Sequence, residues 1–250
     1  MEFDRIADIK RLNFIIRVLK ENLAPGSTVL DVGCGNGVIS RSLGAEGFNV
    51  YGIDISEKTI ERARALNQLS NVHFDVLGAE QLIANGKKYD AVICSEVLEH
   101  LRDPASLLEV IYLSLREQGK LIVTVPNGNG PRERLVTRPT IALKEKNGWL
   151  WKSLLKLKSL MGYKGTTAQT DAADLTHIQF FTRKTLEKLA VESHFRITQF
   201  GKTNFVEDVF PFSLLTRRVK FLQAWDCRVA ETLPLVWTGG FVSVWEKQPV

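Results

Sequence analysis

The chain is short of cysteine, of long apolar runs and of low-complexity sequence, and each shortage excludes a class of protein. Three cysteines, Cys34, Cys94 and Cys227, stand far apart in 250 residues. An odd, scattered set of that kind does not build a disulfide framework and predicts a reducing, cytoplasmic setting. No stretch approaches the roughly 18 uninterrupted apolar residues that cross a bilayer. Glu2, Asp4, Arg5 and Asp8 precede any apolar run, which predicts no secretory leader. No internal repeat or biased linker appears, and 44% hydrophobic with 24% charged residues is ordinary globular composition. The length suits one α/β domain with appendages.

Charge is present but unevenly spread. Residues 131–165 hold nine Lys/Arg against two Glu, a local net of +7 in a chain whose total is +5, so the remainder carries −2. One basic segment, and not a basic protein, has to be explained. Within it Trp149, Leu150, Trp151, Leu154, Leu155, Leu157 and Met161 cover a broad apolar face, with Lys152 and Lys156 opposite and Lys158 inside the apolar arc. Residues 138–162 are expected to form a helix with two open uses. It either lies on an anionic membrane surface, with interfacial tryptophans and snorkelling lysines, or packs its apolar side on the core as a lid.

The chemistry concentrates in Val29-Leu30-Asp31-Val32-Gly33-Cys34-Gly35-Asn36-Gly37. A strand-like apolar run reaches an acid, then glycines at every second position, then the helix-compatible run from Val38. Glycine accepts positive φ and leaves no Cβ between turn and ligand, so a ligand can rest on backbone N–H groups at a helix N-terminus. The spacing is G-x-G-x-G, whereas the dinucleotide fingerprint wants a small residue where Val38 stands. A second strand ends on Asp54-Ile55-Ser56. Asp54 lies 17 residues past Gly37, where a carboxylate at a strand's carboxyl end accepts both ribose hydroxyls of a nucleoside. Capping of the following helix by Asp54 or Ser56 is the plainer use of the same residues. A third strand, Val72 to Val76, contains His73, read as structural. A fourth strand, Lys88 to Cys94, delivers Ser95-Glu96-Val97-Leu98-Glu99-His100 to the ligand edge, and Asp103-Pro104 starts a helix closed by Gln118-Gly119-Lys120 before a fifth strand, Leu121 to Val125. Alternating strands and helices imply a parallel, doubly wound α/β sheet.

Asp31 to Gly37 resembles the first motif of class I S-adenosylmethionine-dependent methyltransferases. Arg11-Leu12-Asn13-Phe14-Ile15, on an amphipathic helix from Arg5 to Leu23, together with Ser95 to His100, is similar to segments of the ubiquinone-biosynthesis O-methyltransferases. The resemblance runs from Arg11 to about Val125 and resumes from His177 to Leu186. It implies a Rossmann-like, doubly wound seven-stranded sheet with the last strand antiparallel, a basic helical insertion after strand 5, and S-adenosyl-L-methionine as cofactor. Under it the single domain divides into an N-terminal helix (1–24), a donor-binding core (25–126), the basic insertion (127–175) and an acceptor-side remainder (176–250). That remainder is expected to contain a helix from Leu186 to Ser193, a strand from Phe195 to Gly201, a helical stretch around Leu214 to Val229 and a closing strand from Gly240 to Trp245.

The resemblance also implies donor contacts: Arg11 to the methionine carboxylate, unless it is a solvated helix arginine, with Asp31, Gly33, Gly35, Gly37, Asp54, Ile55 and Ser95. Many relatives hold the adenine amino group with an acid where this chain has Gly78, so adenine falls here to backbone near Ala79 and to Glu80. His100 and His177 are candidate bases, while His194, at a helix end, reads as structural. Glu96, Glu99, His100 and His177 together resemble a divalent metal set (Mg, Mn or Zn), since a helical turn would bring the first three to one surface. Against the metal, acids in a first helical turn are favoured by the macrodipole alone. The expected acceptor is a small phenolic, lipid-like or sugar-linked hydroxyl, in a cytoplasmic protein that is membrane-peripheral if the basic helix lies on lipid. Two alternatives are a metal-dependent RNA ribose methyltransferase, disfavoured because no nucleic-acid-binding module is visible, and a dinucleotide-dependent oxidoreductase.

Overall fold

Seven strands line up in the order β3-β2-β1-β4-β5-β7-β6. They are β1 (Thr28–Val32), β2 (Asn49–Asp54), β3 (Val72–Val76), β4 (Tyr89–Ser95), β5 (Leu115–Pro126), β6 (Phe195–Lys202) and β7 (Gly240–Lys247). The structure, a computed structural model, describes residues 3–79, 81–82, 86–139, 178–207, 209, 212–216 and 219–249. β1 to β5 pair in parallel. β7 runs antiparallel to both of its neighbours, β5 and β6, the seven-stranded arrangement expected with its last strand reversed. The order turns at β1 and β4, where crossovers leave to opposite sides.

Two apolar layers sandwich the sheet because successive strand residues point to opposite faces. Val29, Val50, Ala91, Ile93, Ile122 and Val244 face one layer. They meet α1 (Ile6–Asn22), α2 (Val38–Ala45) and α3 (Glu57–Leu66) through Ile15, Leu19, Leu43 and Ile60. Leu30, Val32, Val92, Leu121, Val123 and Trp245 face the other. There they meet α4 (Pro104–Ser114) and α5 (Arg183–Glu192) through Leu108, Ile111, Leu186 and Ala190. Asp103 caps α4 as its spacing to Pro104 predicts, accepting from Ala105 and Ser106 N–H.

Several boundaries differ from expectation. α4 ends at Ser114, not at Gln118-Gly119-Lys120, because β5 already begins at Leu115 beside Tyr89 and the register shifts before Ala91 meets Lys120. The tail helix is two pieces, α6 (Phe212–Thr216) and α7 (Lys220–Thr232). Val219, extended at φ −124, precedes the second piece, and buried Gln223 bridges the two: its Nε2 donates to the Thr216 carbonyl at 2.9 Å and its Oε1 accepts from Ile6 N–H at 3.0 Å. His73 lies exposed in β3. His194 follows α5 with φ +62, a left-handed helix end as expected of a structural histidine. The helix expected over 138–162 lies outside the described residues except for Arg138 and Pro139, which follow a π-helical turn at Glu133–Thr137.

This topology decides what stands over the strands' carboxyl ends. β6 runs parallel to β5, since both oppose β7, so Lys202 ends at the carboxyl edge and Gly240 starts from it. The excursion from Thr203 to Gly239, with α6 and α7, therefore leaves from and returns to that edge. The segment after Pro126 does the same, for Gly128 N–H donates to the Phe181 carbonyl at 2.8 Å. Asn127 ties the two excursions together: its Nδ2 donates to the Leu235, Val236 and Thr238 carbonyls at 2.8–3.3 Å.

Candidate active site

The glycine loop is built by three left-handed residues, Gly33 (φ +66), Gly35 (φ +56) and Gly37 (φ +78), a conformation that a Cβ makes costly. The three do different work. A Cβ on Gly33 would stand 2.5 Å from Val97 Cγ2, and one on Gly37 would stand 2.4 Å from the Phe74 ring. At Gly35 nothing among the described residues lies within 4 Å. Internal packing therefore explains the outer two glycines, and only the middle one opens on free space.

Asp54, at the end of β2, is held toward that space. Its Oδ2 accepts from Gly35 N–H at 3.0 Å and its Oδ1 from Ser56 N–H at 2.9 Å. An ionised carboxylate has about four acceptor positions, so two remain for hydroxyls. Ser56 also caps α3, so the capping and binding readings coexist in adjacent residues. Ile55 is 82% exposed, an apolar side chain on the rim where a flat base can rest. Leu77 N–H donates to the Asp54 carbonyl at 3.0 Å, which brings Gly78 and Ala79 alongside. Glu80 lies outside the described residues.

Asp31 stands apart from this group. It is 1% exposed and accepts from Ser40 Oγ at 2.6 Å. Burial pushes its carboxyl up to about 7, with Asp54 adding to the rise and the Ser40 hydrogen bond opposing it. Its place in the motif serves to fasten the first turns of α2 beneath the loop; it does not present a carboxylate at the surface.

At the end of β4 the chain turns sharply. Glu96 has φ +57, uncommon for a residue with a Cβ. Its N–H donates to the Thr124 carbonyl and its Oε1 accepts from Thr124 Oγ1, both at 2.9 Å. Thr124 Oγ1 also lies 2.9 Å from Ser95 Oγ. Arg11 reaches this turn from α1: Nη1 is 3.0 Å from Glu96 Oε1 and Nη2 is 2.8 Å from Asp8 Oδ1. The helix of Arg11 is thereby brought to the same edge as the glycine loop, since Val97 packs on Gly33. Thr124 escaped the sequence reading, although a hydroxyl in the apolar run Leu121 to Val125 was its signal.

The expected metal set does not assemble among the described residues. Helical geometry begins only at Leu98, as a 3-10 turn to His100, so the left-handed Glu96 is not in phase with Glu99 and His100. Glu96 faces Arg11, whereas Glu99 is 1% exposed and neither carboxyl oxygen has a hydrogen-bond partner among the described residues. Carboxylate and imidazole chemistry would fit a divalent ion; this placement does not, and no group of three His, Cys, Asp or Glu there is positioned to hold one. His177 lies outside the described residues. Burial, with the charge of Glu96 added, pushes the Glu99 carboxyl up to about 9, so it keeps its proton at neutral pH. His100 Nε2 is 3.9 Å from its Oε1. The Glu99 carbonyl accepts from Ile178 and Gln179 N–H at 2.8 and 3.0 Å, which binds the second half of the chain to this turn.

Fold, loop and edge together make an α/β sheet with an open glycine and an anchored carboxylate at its carboxyl edge, where such sheets take their ligands. A model of a methyltransferase domain family matches residues 5–199, and the chain belongs to that family. It is 38% identical over 105 residues to a ubiquinone biosynthesis O-methyltransferase of Hydrogenovibrio crunogenus, 41% of this chain and 44% of that protein. It is 37% identical over 134 residues to the protein of the same name from Pseudomonas paraeruginosa, 51% and 56% of the two chains. The matched part spans about half the length of these relatives. Magnesium protoporphyrin IX methyltransferase from Synechocystis PCC 6803 with bound SAH shares the fold, with a TM-score of 0.57 at 20% identity over 97% of this chain and 84% of the other. Among the described residues no helix is long and apolar enough to cross a membrane.

Proposed function

We propose that this methyltransferase takes its methyl group from S-adenosylmethionine and transfers it to the hydroxyl of a small phenolic, lipid-like or sugar-linked acceptor. The observation that carries the donor assignment is the pairing of Asp54 with the open Gly35. A carboxylate anchored by two backbone N–H groups stands beside the loop glycine that meets nothing within 4 Å among the described residues. In this reading Asp54 accepts the ribose hydroxyls, Ile55 and Ala79 flank the adenine, and the Arg11 guanidinium receives the methionine carboxylate, a charge-assisted pairing suited to its planar fork. When bound, the donor supplies a sulfonium methyl group that an oxygen nucleophile can displace in line.

The chain's own part is to align the acceptor and to take its proton. Alignment of a nucleophile within about 3 Å of its target supplies most of the acceleration in such transfers. His100 stands at the edge with its Nε2 3.9 Å from Glu99 Oε1, a carboxyl that burial pushes well above the usual carboxylate range. We assign His100 to accept the hydroxyl proton as the oxygen–carbon bond forms and the carbon–sulfur electron pair returns to sulfur. The O-methyltransferase name of the relatives supports an oxygen acceptor. The exposed side chains Phe212, Leu215, Phe221 and Trp225, at 55–73% exposure on the excursion over the edge, support an apolar one.

Transfer from methyl-labelled S-adenosylmethionine to a panel of phenols, quinols, glycolipid precursors and RNA tests the acceptor. Label on a phenol or lipid, lost in His100→Ala, supports the reading. Label on RNA alone overturns it, and a loss in EDTA restored by Mg²⁺, Mn²⁺ or Zn²⁺ overturns the metal-free base. Association of residues 138–162 with anionic lipid belongs to the same proposal and predicts flotation with phosphatidylglycerol vesicles but not with neutral ones.

A further inference from the structure

Arg11 joins α1 to the turn after β4, and its hydrogen-bonding capacity is already divided. Nη2 is spent on Asp8, one turn away on the same helix, and Nη1 on Glu96. The guanidinium side chain is only 11% exposed, so an incoming carboxylate has few directions of approach. We propose that Glu96 competes with the donor's carboxylate for Arg11, so that donor binding exchanges one carboxylate for another. The inference rests on the donor reading given above.

The two acids around Arg11 are not equivalent. Asp8 is 16% exposed and fixed by its three-residue spacing on α1. Glu96 is 38% exposed and has other support: Thr124 Oγ1 donates to the same Oε1, and Thr124 also receives the Glu96 N–H. Glu96 can therefore give up Arg11 and keep two hydrogen bonds, whereas Asp8 has no such second anchor among the described residues. Its left-handed backbone, at φ +57, holds the side chain at this edge either way. Once Arg11 is engaged by a donor, the charge of Glu96 is uncovered on the turn that carries Glu99 and His100. Donor occupancy then sets the charge that an acceptor meets, which favours donor before acceptor.

Calorimetry with two probes isolates the exchange. S-adenosylhomocysteine carries the amino-acid carboxylate; 5′-methylthioadenosine has the same thionucleoside without it. Glu96→Gln is expected to tighten S-adenosylhomocysteine by about threefold, the size of a partly exposed ion pair, and to leave 5′-methylthioadenosine unchanged. Arg11→Met is expected to weaken S-adenosylhomocysteine alone and to erase the effect of Glu96→Gln in the double variant. Glu96→Asp, which withdraws the carboxylate, gives the same sign should Glu96→Gln fail to fold. Equal shifts for both probes would mean that Glu96 only fastens α1 to β4, and unchanged or weakened S-adenosylhomocysteine binding in Glu96→Gln would also overturn the exchange. If neither probe binds the parent protein, the donor reading itself falls, an outcome distinct from failure of the exchange alone.

Discussion

On the β1–β2 side the carboxyl edge is backbone, drawn tight by short turns; on the β5–β7 side it is two long excursions tied together by one asparagine. The first side offers three left-handed glycines and a carboxylate anchored by backbone N–H groups. The second offers exposed apolar side chains such as Phe221 and Trp225, 73% and 55% exposed, on helices whose ends are set by buried polar contacts. A polar, fixed ligand needs the first construction, because hydrogen bonds are directional and misplacement loses them. An apolar acceptor needs only surface of suitable shape, which can vary without disturbing the sheet.

The largest way to break this comparison is Asp54→Ala. It removes the partners of Gly35 and Ser56 N–H and, in the proposed donor reading, the acceptor of two ribose hydroxyls, each bond to a charge worth about 1.5–3 kcal/mol. Donor affinity measured by calorimetry is expected to fall at least tenfold, and a folded variant of parental affinity would remove the ribose assignment. Next comes a contrast within the loop. Gly33→Ala meets Val97 at 2.5 Å, adding a clash to the left-handed cost of about 1–2 kcal/mol that Gly35→Ala also bears. Thermal melts should therefore show Gly33→Ala as the less stable of the two. Gly35→Ala should lose donor affinity out of proportion to stability. Matching losses in both variants would make the loop a packing device only.

A smaller effect sharpens the account of the turn after β4. The folded-state carboxyl of Glu99 is raised from 4.5 to about 9, so the native chain binds this proton more tightly than the unfolded chain. Its contribution to stability is full below about pH 4.5 and is lost as pH rises through about 9. Asp31, raised to about 7, adds a loss of the same sign at lower pH. The Tm of the parent should fall between pH 6 and 9, and Glu99→Gln should flatten that fall. Parallel curves would mean that Glu99 is not buried as an acid. Smallest of all is Trp225→Ala, expected to change stability by no more than about 0.5 kcal/mol and to leave donor affinity intact while raising the acceptor KM. A loss of several kcal/mol in urea unfolding would show that this face is packed.

Legibility in the sequence follows the same division. The glycine loop and the place of Asp54 at a strand end could be read because local conformation and short spacing dictate them: left-handed turns demand glycine, and a buried parallel strand demands a near-continuous apolar run; the reversed last strand came from the family resemblance. Asp31, expected as a donor contact, is buried, and the sequence does not show this because Ser40, nine residues on, bonds back to it. The metal set does not assemble among the described residues because of a single backbone angle. A helical spacing of three and four assumes that the helix starts at Glu96, whereas φ +57 delays it to Leu98. The bridging role of Gln223 was hidden for a related reason, because it takes its partners from Ile6 and Thr216, the first of them more than 200 residues away. Long-range polar contacts leave no periodic trace.

The central claim is that the open glycine and the anchored Asp54 form a site for S-adenosylmethionine and not for a dinucleotide. Titration calorimetry of the parent protein with S-adenosylmethionine, S-adenosylhomocysteine, NADH and NADPH addresses it without knowledge of the acceptor. The account predicts one-to-one binding of the two adenosyl sulfur compounds and no heat from either nicotinamide cofactor. Binding of NADH or NADPH, with S-adenosylmethionine inert, would contradict it.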